Sequence, residues 1–446
     1  MAIEFTIKRF AYPISIIKLR HFFEKSQWFS EEQLKEYQNK RLKEIIEHCY
    51  ENVPYYRNLF DKLKLKPNDF RDTDDLKKLP FLTKDIIKKN FSSLTAKNVK
   101  KFKPFLYQTS GSTREPLKFY LDKTIHVLEF CYYWRHWSWA GYRLGNPFVQ
   151  FSSQYFLKRN NKDFFSYSPL TKHLILNSNL FCFDNLDRFV ALLREYKPLF
   201  IRGYPSTLST FALLLEKAGY HDIHFKAAFT VAEKLLGYQK QTIERIFDCP
   251  ILDFYGHMES TVAVSQCPYG SYHINPEYGV FSLDEKEEID SVKGKRIGEV
   301  IGTSLHNFAM PFLRYRIGDI AVIDPVQKSC ECGRGLPLVS EVTGRVDDII
   351  ITPDERFITA AHGPFNFVDG ILWYQLVQES KEKIVIKITK SEEASAQSIE
   401  NELRPSLQKM LGEKVAIIFE FIPFPEAAES LKHKPIVSRL DIKDFI

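Results

Sequence analysis

No stretch of this sequence comes near the roughly 18 consecutive apolar residues that a membrane-spanning helix needs, so no transmembrane segment is expected. Its opening residues (MAIEFTIKRFAYPISIIKLRHFF) are interrupted by Lys8, Arg9, Lys18 and Arg20, and lack the continuous apolar stretch of a signal peptide. A basic, aromatic helix of this kind suits either a membrane surface or packing on its own domain. Cysteine is sparse. Seven in 446 residues, an odd number without an export signal, point to a reducing compartment and a cytoplasmic protein. Net charge is small as well: +6 falls well short of a nucleic-acid footprint, and no nucleic-acid partner is expected. There is no internal repeat, no low-complexity tract, and no Gly-Lys-Ser/Thr with the spacing of a nucleotide P-loop.

What is present is an ordinary globular composition, 44% hydrophobic and 26% charged, in a chain too long for one core. Most of the 37 Phe and 22 Tyr are read as core filling. Seven lysines between Lys84 and Lys103 read as a solvated face. Ser30 and Gln33 form a capping-box pattern ahead of Leu34, Tyr37, Leu42, Ile45, Ile46 and Cys49, which recur at helical spacing. The middle of the chain alternates helix and strand. A helix is expected over 184–197 with Asp184 as N-cap, a strand at 199–204, and a helix from Pro205 to Gly219. A strand at 225–231, a helix at 233–247 and a strand at 251–255 continue the pattern. Such alternation signals a parallel sheet covered by helices, with ligands at the carboxyl ends of its strands. Residues 272–323 turn β-rich. Beyond Gly344 a smaller unit shows a strand at 383–389, a helix from 395 to Gly412 carrying Pro405, and a strand at 414–422. The expectation is an α/β protein. Its large N-terminal domain, 1–346, has helix-covered, mostly parallel sheets and a β-rich part; a small mobile α+β domain occupies 347–446.

Three motifs carry chemistry. Thr109-Ser110-Gly111-Ser112-Thr113-Arg114-Glu115-Pro116 sets four small hydroxyl residues around a glycine, which gives the dense donors that triphosphate oxygens need, or simply a polar turn. Asp253-Phe254-Tyr255-Gly256-His257-Met258-Glu259 ends a parallel strand with a carboxylate just past a glycine. Magnesium takes hard oxygen ligands and keeps several waters, so Glu259 alone can hold it; a solvated strand-end glutamate is the plainer alternative. Phe312-Leu313-Arg314-Tyr315-Arg316-Ile317-Gly318-Asp319 is followed by Gly344-Arg345-Val346-Asp347-Asp348. There an aspartate at a turn suits two ribose hydroxyls, and an arginine on the next segment suits a ribose oxygen or phosphate.

In this order and spacing the motifs resemble the adenylate-forming acyl- and aryl-CoA synthetase superfamily. The phenylacetate–CoA ligase branch, and the capsule-biosynthesis CapK-type proteins within it, are the nearest likeness. Arg202-Gly203-Tyr204-Pro205-Ser206, Gly298-Glu299-Val300 through Asn307, and Leu336-Pro337 add to the resemblance, which covers nearly the whole chain. It implies that Thr109, Ser110, Gly111, Ser112, Thr113 and Arg114 grip the β- and γ-phosphates of ATP. Ala232, Glu233 and Tyr255 line the adenine slot beside Gly256. Glu259 binds Mg²⁺, Asp319 the ribose, and Arg345 ribose or phosphate. Asp347 is the hinge, and Lys434 the adenylation lysine. Three positions depart from the pattern: Arg114 replaces a loop glycine, Met258 precedes Glu259, and His433 precedes Lys434, leaving Lys432 as a rival.

A separate constellation is Cys267, His273, Cys330 and Cys332. Thiolates and an imidazole in paired short spacings suit a closed, structural, tetrahedral Zn²⁺, as in some CapK-like relatives; otherwise they are unconnected residues. Cys49, Cys131, Cys182 and Cys249 have no such spacing and are read as core. Tyr132, Tyr133, Trp134 and Trp137 are read as core or as the wall of an acid pocket. The resemblance implies ATP-dependent activation of a small-molecule carboxylic acid as its acyl-AMP. Coenzyme A is the expected acceptor, with an amine or hydroxyl, such as a surface-polysaccharide sugar, as the alternative. A non-catalytic homologue is the reading from another class, and a homodimer is left open.

Overall fold

The computed structural model describes residues 13–108, 117–152, 155, 163–284, 295–327, 329–345, 350–353, 357–358, 364–365, 368–423 and 435–440. Its centre is a nine-stranded sheet. Five strands run parallel side by side: Ile251–Gly256, Ala227–Val231, Phe200–Gly203, Phe148–Phe151 and His173–Leu176. Four of the five are buried along their whole length, and Ile251–Gly256 as far as Phe254, which is why they read as mainly apolar runs and not as alternating ones. Antiparallel strands close both margins. Phe165–Ser168 lies on one side; Ala263–Gln266, Tyr272–Ile274 and Leu338–Val339 lie on the other.

The helices Phe183–Tyr196, Pro205–Lys217 and Gly237–Phe247 bury Phe189, Phe211 and Ile243 in one core on one face of the sheet. The helix Lys123–Ser138 and the helix Glu31–Asn52 share a larger core on the other face. The capping box at Ser30 and Gln33 forms as read, each side chain bonding the other residue's backbone N–H. Pro13–Ser26 is a helix that packs on Lys123–Ser138, with the Phe23 and Tyr132 rings 4.3 Å apart. From Leu19 onward it therefore serves its own domain. No described helix is long and apolar enough to cross a membrane.

The β-rich region is a four-stranded antiparallel sheet of Gly279–Asp284, Arg296–Ser304, Tyr315–Ile323 and Glu341–Arg345. A third core gathers residues from Ile350 onward, joined among the described residues by Leu236 and Tyr238 from earlier in the chain. Its four-stranded sheet (Ala416–Phe421, Lys383–Lys390, Ile371–Ser380, Ile436–Ser438) is covered by the helix Ala396–Leu411, which contains Pro405 and stops at Gly412. The boundary expected at 346/347 falls outside the described residues.

Three expectations need correction. The helix expected from 184 begins at Phe183, and Cys182 takes the N-cap position without a side-chain bond, so Asp184 sits in the first turn. The helix expected from 233 begins only at Gly237. Glu233 and Lys234 are held elsewhere, by Ser206 and Glu341, and the Gln239 side chain accepts the Leu236 N–H to start the helix there. Cys182 is exposed, not core, whereas Cys49, Cys131 and Cys249 are buried as expected. The seven lysines from Lys84 to Lys103 are all exposed.

Candidate active site and metal cluster

Parallel strands deliver their chain ends to one edge of the sheet, and the expected site residues follow those ends. After Ala227–Val231 the chain turns through Ala232, whose φ of 67° is left-handed, a costly conformation for a residue with a Cβ. That turn aims Glu233 at the start of the helix Pro205–Lys217. There its Oε2 accepts the N–H of Ser206 at 3.1 Å, one of the donors a helix start leaves unpaired. Glu233 thus ties two strand ends together.

After Ile251–Gly256, the Tyr255 hydroxyl donates to Oδ2 of Asp319 at 2.6 Å. Two residues 64 positions apart, both read from separate motifs, meet across the gap between the two sheets. Asp319 is paired in antiparallel register with Arg345, so the backbone sets those two opposite each other. The carboxylate of Glu259 is buried, at 7% exposure, and its Oε1 accepts the Tyr315 hydroxyl at 2.8 Å. The turn that carries Glu259 is fixed by close packing. A Cβ on Gly279 would lie 1.8 Å from the Thr261 carbonyl oxygen, and one on Gly302 would lie 1.9 Å from its Oγ1. Ser260 is left-handed at φ 55° and donates to Glu129 at 3.0 Å; Thr261 Oγ1 meets His257 Nε2 at 2.9 Å.

Behind this edge Asp253 is buried. The Thr230 hydroxyl donates to it at 2.6 Å and the Tyr272 hydroxyl at 3.1 Å. Burial outweighs those bonds and pushes its carboxyl up to about 6.

Ala232, Glu233, Tyr255, Gly256, Glu259 and Asp319 therefore converge at the carboxyl edge of the parallel strands and its junction with the second sheet. Thr109 through Arg114, Asp347, Lys432 and Lys434 lie outside the described residues, as does the side chain of Arg345. Residues 109–116 lie in the sequence between Phe105–Gln108 and Lys118–Leu121, an antiparallel pair in register Gln108 to Lys118. Reading motif by motif assigned no role to Tyr315 or Arg202, although an arginine inside the apolar run LFIRGY was a visible signal. Of the aromatic cluster, Tyr132, Trp134 and Trp137 are core, and Tyr133 is only half-buried.

The cysteine–histidine set assembles. Tyr272–Ile274 pairs with Ala263–Gln266 on one side and with Leu338–Val339 on the other, drawing the 267 turn and the 330–332 loop to His273. One ligand atom from each of Cys267, His273, Cys330 and Cys332 lies within 4.8 Å of every other. The sulfurs of Cys267 and Cys330 are 3.6 Å apart, and Cys332 Sγ is 3.4 Å from His273 Nε2. Two thiolates on one zinc at ~2.3 Å sit about 3.8 Å apart, so the spacing fits. His273 Nδ1 faces the Leu336 carbonyl at 3.3 Å, which holds the tautomer that leaves Nε2 to bind. Burial lowers this imidazole to about 4, so it is neutral at pH 7.

No family model matches the chain. Among curated proteins it is 24% identical to Protein CapK of Staphylococcus aureus over 90% of this chain and 89% of that protein. It is 26% identical to the phenylacetate-coenzyme A ligase of Pseudomonas putida over 71% of this chain and 72% of the ligase. Among solved structures, 2-hydroxyisobutyryl-CoA ligase in the postadenylation state, in complex with R3-HIB-AMP, superposes with a TM-score of 0.69 at 17% identity. That match covers 94% of this chain and 92% of the ligase. An open conformation of the same ligase with 2-HIB-AMP and CoA gives 0.54 at 17% identity over 90% of each chain. The fold is that of the adenylate-forming ligases, and the likeness to CapK and the phenylacetate–CoA ligases read from the motifs is borne out.

Proposed function

We propose that the chain is an AMP-forming acid–thiol ligase. It joins a carboxylic acid to the α-phosphorus of ATP with loss of pyrophosphate, then passes the acyl group to the thiol of coenzyme A. One observation carries this reading: Tyr255 and Asp319, taken from two separate motifs, bond to each other beside the buried Glu259 at the carboxyl edge of a ligase-fold sheet.

On this reading Asp319, held by the Tyr255 hydroxyl, accepts the ribose hydroxyls, and Arg345 opposite it serves the ribose or phosphate. Donors of 109–114 hold the β- and γ-phosphates. Glu259 fits magnesium as a hard, buried oxygen donor steadied by Tyr315, and the ion would supply charge neutralisation at the α-phosphate. Lys434 brings a cation to the attacking carboxylate and the α-phosphate. Residues from 347 onward form the mobile lid. Catalysis is then mostly alignment and charge neutralisation. Cys267, His273, Cys330 and Cys332 hold a structural zinc with all four positions filled by protein, which leaves it no part in the chemistry.

ATP–pyrophosphate exchange across aryl, hydroxy and fatty acids, followed by mass spectrometry of products formed with CoA, tests the proposal. Acid-dependent exchange and a CoA thioester are expected. Exchange with no thioester, and an amide or ester formed with amines or sugars, would move the acceptor assignment. No exchange with any acid would overturn the reading.

A further inference from the structure

Among the described residues two arginines are buried, and they are treated differently. Arg135, 2% exposed, donates to Glu277 at 2.8 Å and also to Asn275 and the Phe23 carbonyl. Arg202, also 2% exposed, donates from Nη1 to Gln150 Oε1 at 3.4 Å and has a polar contact with the Tyr133 hydroxyl. Its Nε and Nη2 have no hydrogen-bond partner among the described residues, and neither has it an ion-pair partner there. The guanidinium lies 4.8 Å from the Tyr133 ring centre and 5.9 Å from that of Trp137. Such contacts recover only part of what removing a charge from water costs. Burial lowers its pKa; the Tyr133 and Tyr204 phenols, and Glu129 through space, oppose that. His173 is pushed down to about 3, by burial first and by Arg202 second, and brings no negative charge.

Its place in the fold says what could satisfy it. Arg202 is the penultimate residue of Phe200–Gly203, in register with Gln150 on one side and Phe229 on the other. The next strand ends in Val231 and leads straight into Ala232 and Glu233. Arg202 therefore sits one strand away from the proposed adenylate site, on the same carboxyl edge where open α/β sheets bind ligands. It is on the sheet face covered by Lys123–Ser138, beside Tyr133 and Tyr204, two half-buried phenols.

We infer that Arg202 is the specificity-determining residue of the acid pocket and that the acid carries a second carboxylate, which the guanidinium's free fork receives. This rests on the adenylation reading, with the reacting carboxylate at the strand ends beyond Val231 and the second one toward Arg202. A buried donor fork left empty by a singly charged acid rejects that acid strongly.

The test is pyrophosphate exchange with matched sets: straight-chain dicarboxylates of three to eight carbons against the mono- and ω-hydroxy acids of equal length, and 4-carboxyphenylacetate against phenylacetate. Wild type should prefer a diacid, and Arg202→Met should lower kcat/KM for it on the order of 10³-fold, mainly through KM, while raising that for the matched mono-acid. Arg202→Lys should retain part of the diacid preference. The Met variant without substrates should melt no lower than wild type, because an uncompensated buried charge has been removed. Equal or better exchange with the mono- or hydroxy acids overturns this inference alone. So does a Met variant that loses stability and all acids alike, which marks Arg202 as structural. No exchange with any acid overturns the adenylation reading and this inference with it.

Discussion

At the residue scale the sequence revealed identities better than partnerships. Tyr255 and Glu259 stand out in the sequence because their motif ends a parallel strand, whereas Asp319, expected at a turn, lies within the strand Tyr315–Ile323; nothing local showed that Tyr315 would bond Glu259 or Tyr255 bond Asp319. Those bonds need the second sheet to fold against the first, and that is tertiary information. Glu259→Gln should abolish pyrophosphate exchange with the fold intact by circular dichroism. Tyr315→Phe should leave the carboxylate in place but unsteadied, weakening apparent magnesium affinity about 10-fold, the order seen when a metal ligand's orienting partner is lost. Normal exchange by Glu259→Gln at any magnesium concentration would remove that residue from the site. Asp253 gives a pH prediction of definite sign. Its native pKa of about 6 is raised above the unfolded value, so its favourable contribution is full below pH ~4 and is lost as pH rises through 6. Two pH-units' worth of shift is about 3 kcal/mol. Relative to Asp253→Asn, wild type should therefore lose up to about that much stability between pH 4 and 7, read from urea midpoints. A difference that stays flat would mean the carboxylate is not destabilised by its burial.

Among the elements, three of the five parallel strands and the helices between them were legible because full burial writes them as short apolar runs between capped, periodic segments, whereas Phe148–Phe151 and His173–Leu176 were not read from the sequence. The misjudged helix start at 233 has a physical cause: Glu233 and Lys234 find partners 27 and 107 residues away, and a helix cannot begin until Gln239 turns back on Leu236. The antiparallel margins were not legible strand by strand, yet they assemble the cysteine–histidine set. Zinc binding and margin pairing should therefore be one event, since a site absent from the unfolded chain lends its binding energy to folding. Purified protein never exposed to chelator should carry about one zinc per chain by elemental analysis, as a closed tetrahedral set holds a single ion. Cys330→Ser with Cys332→Ser should lose it and lower the melting temperature. If the double variant melts with wild type, or if wild type carries less than about a tenth of an equivalent, the four ligands are unconnected residues and not a metal site.

For the whole molecule, the question is what the separate third core permits. Among the described residues, those from Ile350 onward pack among themselves and share their core with Leu236 and Tyr238, with the Tyr238 and Tyr374 rings 5.7 Å apart and an exposed ion pair between Lys217 and Glu392. A unit attached by so little can turn as a body at modest cost, because its own core stays buried in either orientation. Lys434 lies beyond the proposed hinge at Asp347. An ammonium on a flexible stem can reach the reacting carboxylate and the α-phosphate in one orientation and be withdrawn in the other. Lys434→Ala should therefore slow acyl-adenylate formation by on the order of 10²-fold or more, as for other lost transition-state donors. It should spare thioester formation from chemically made acyl-adenylate and CoA. Asp347→Pro should do the reverse, freezing one orientation and slowing the thioester step more than pyrophosphate exchange. Both half-reactions can be timed separately by single-turnover assays. Equal slowing of both by Lys434→Ala would rule out alternation about this hinge, and Lys432 would then be the lysine to replace.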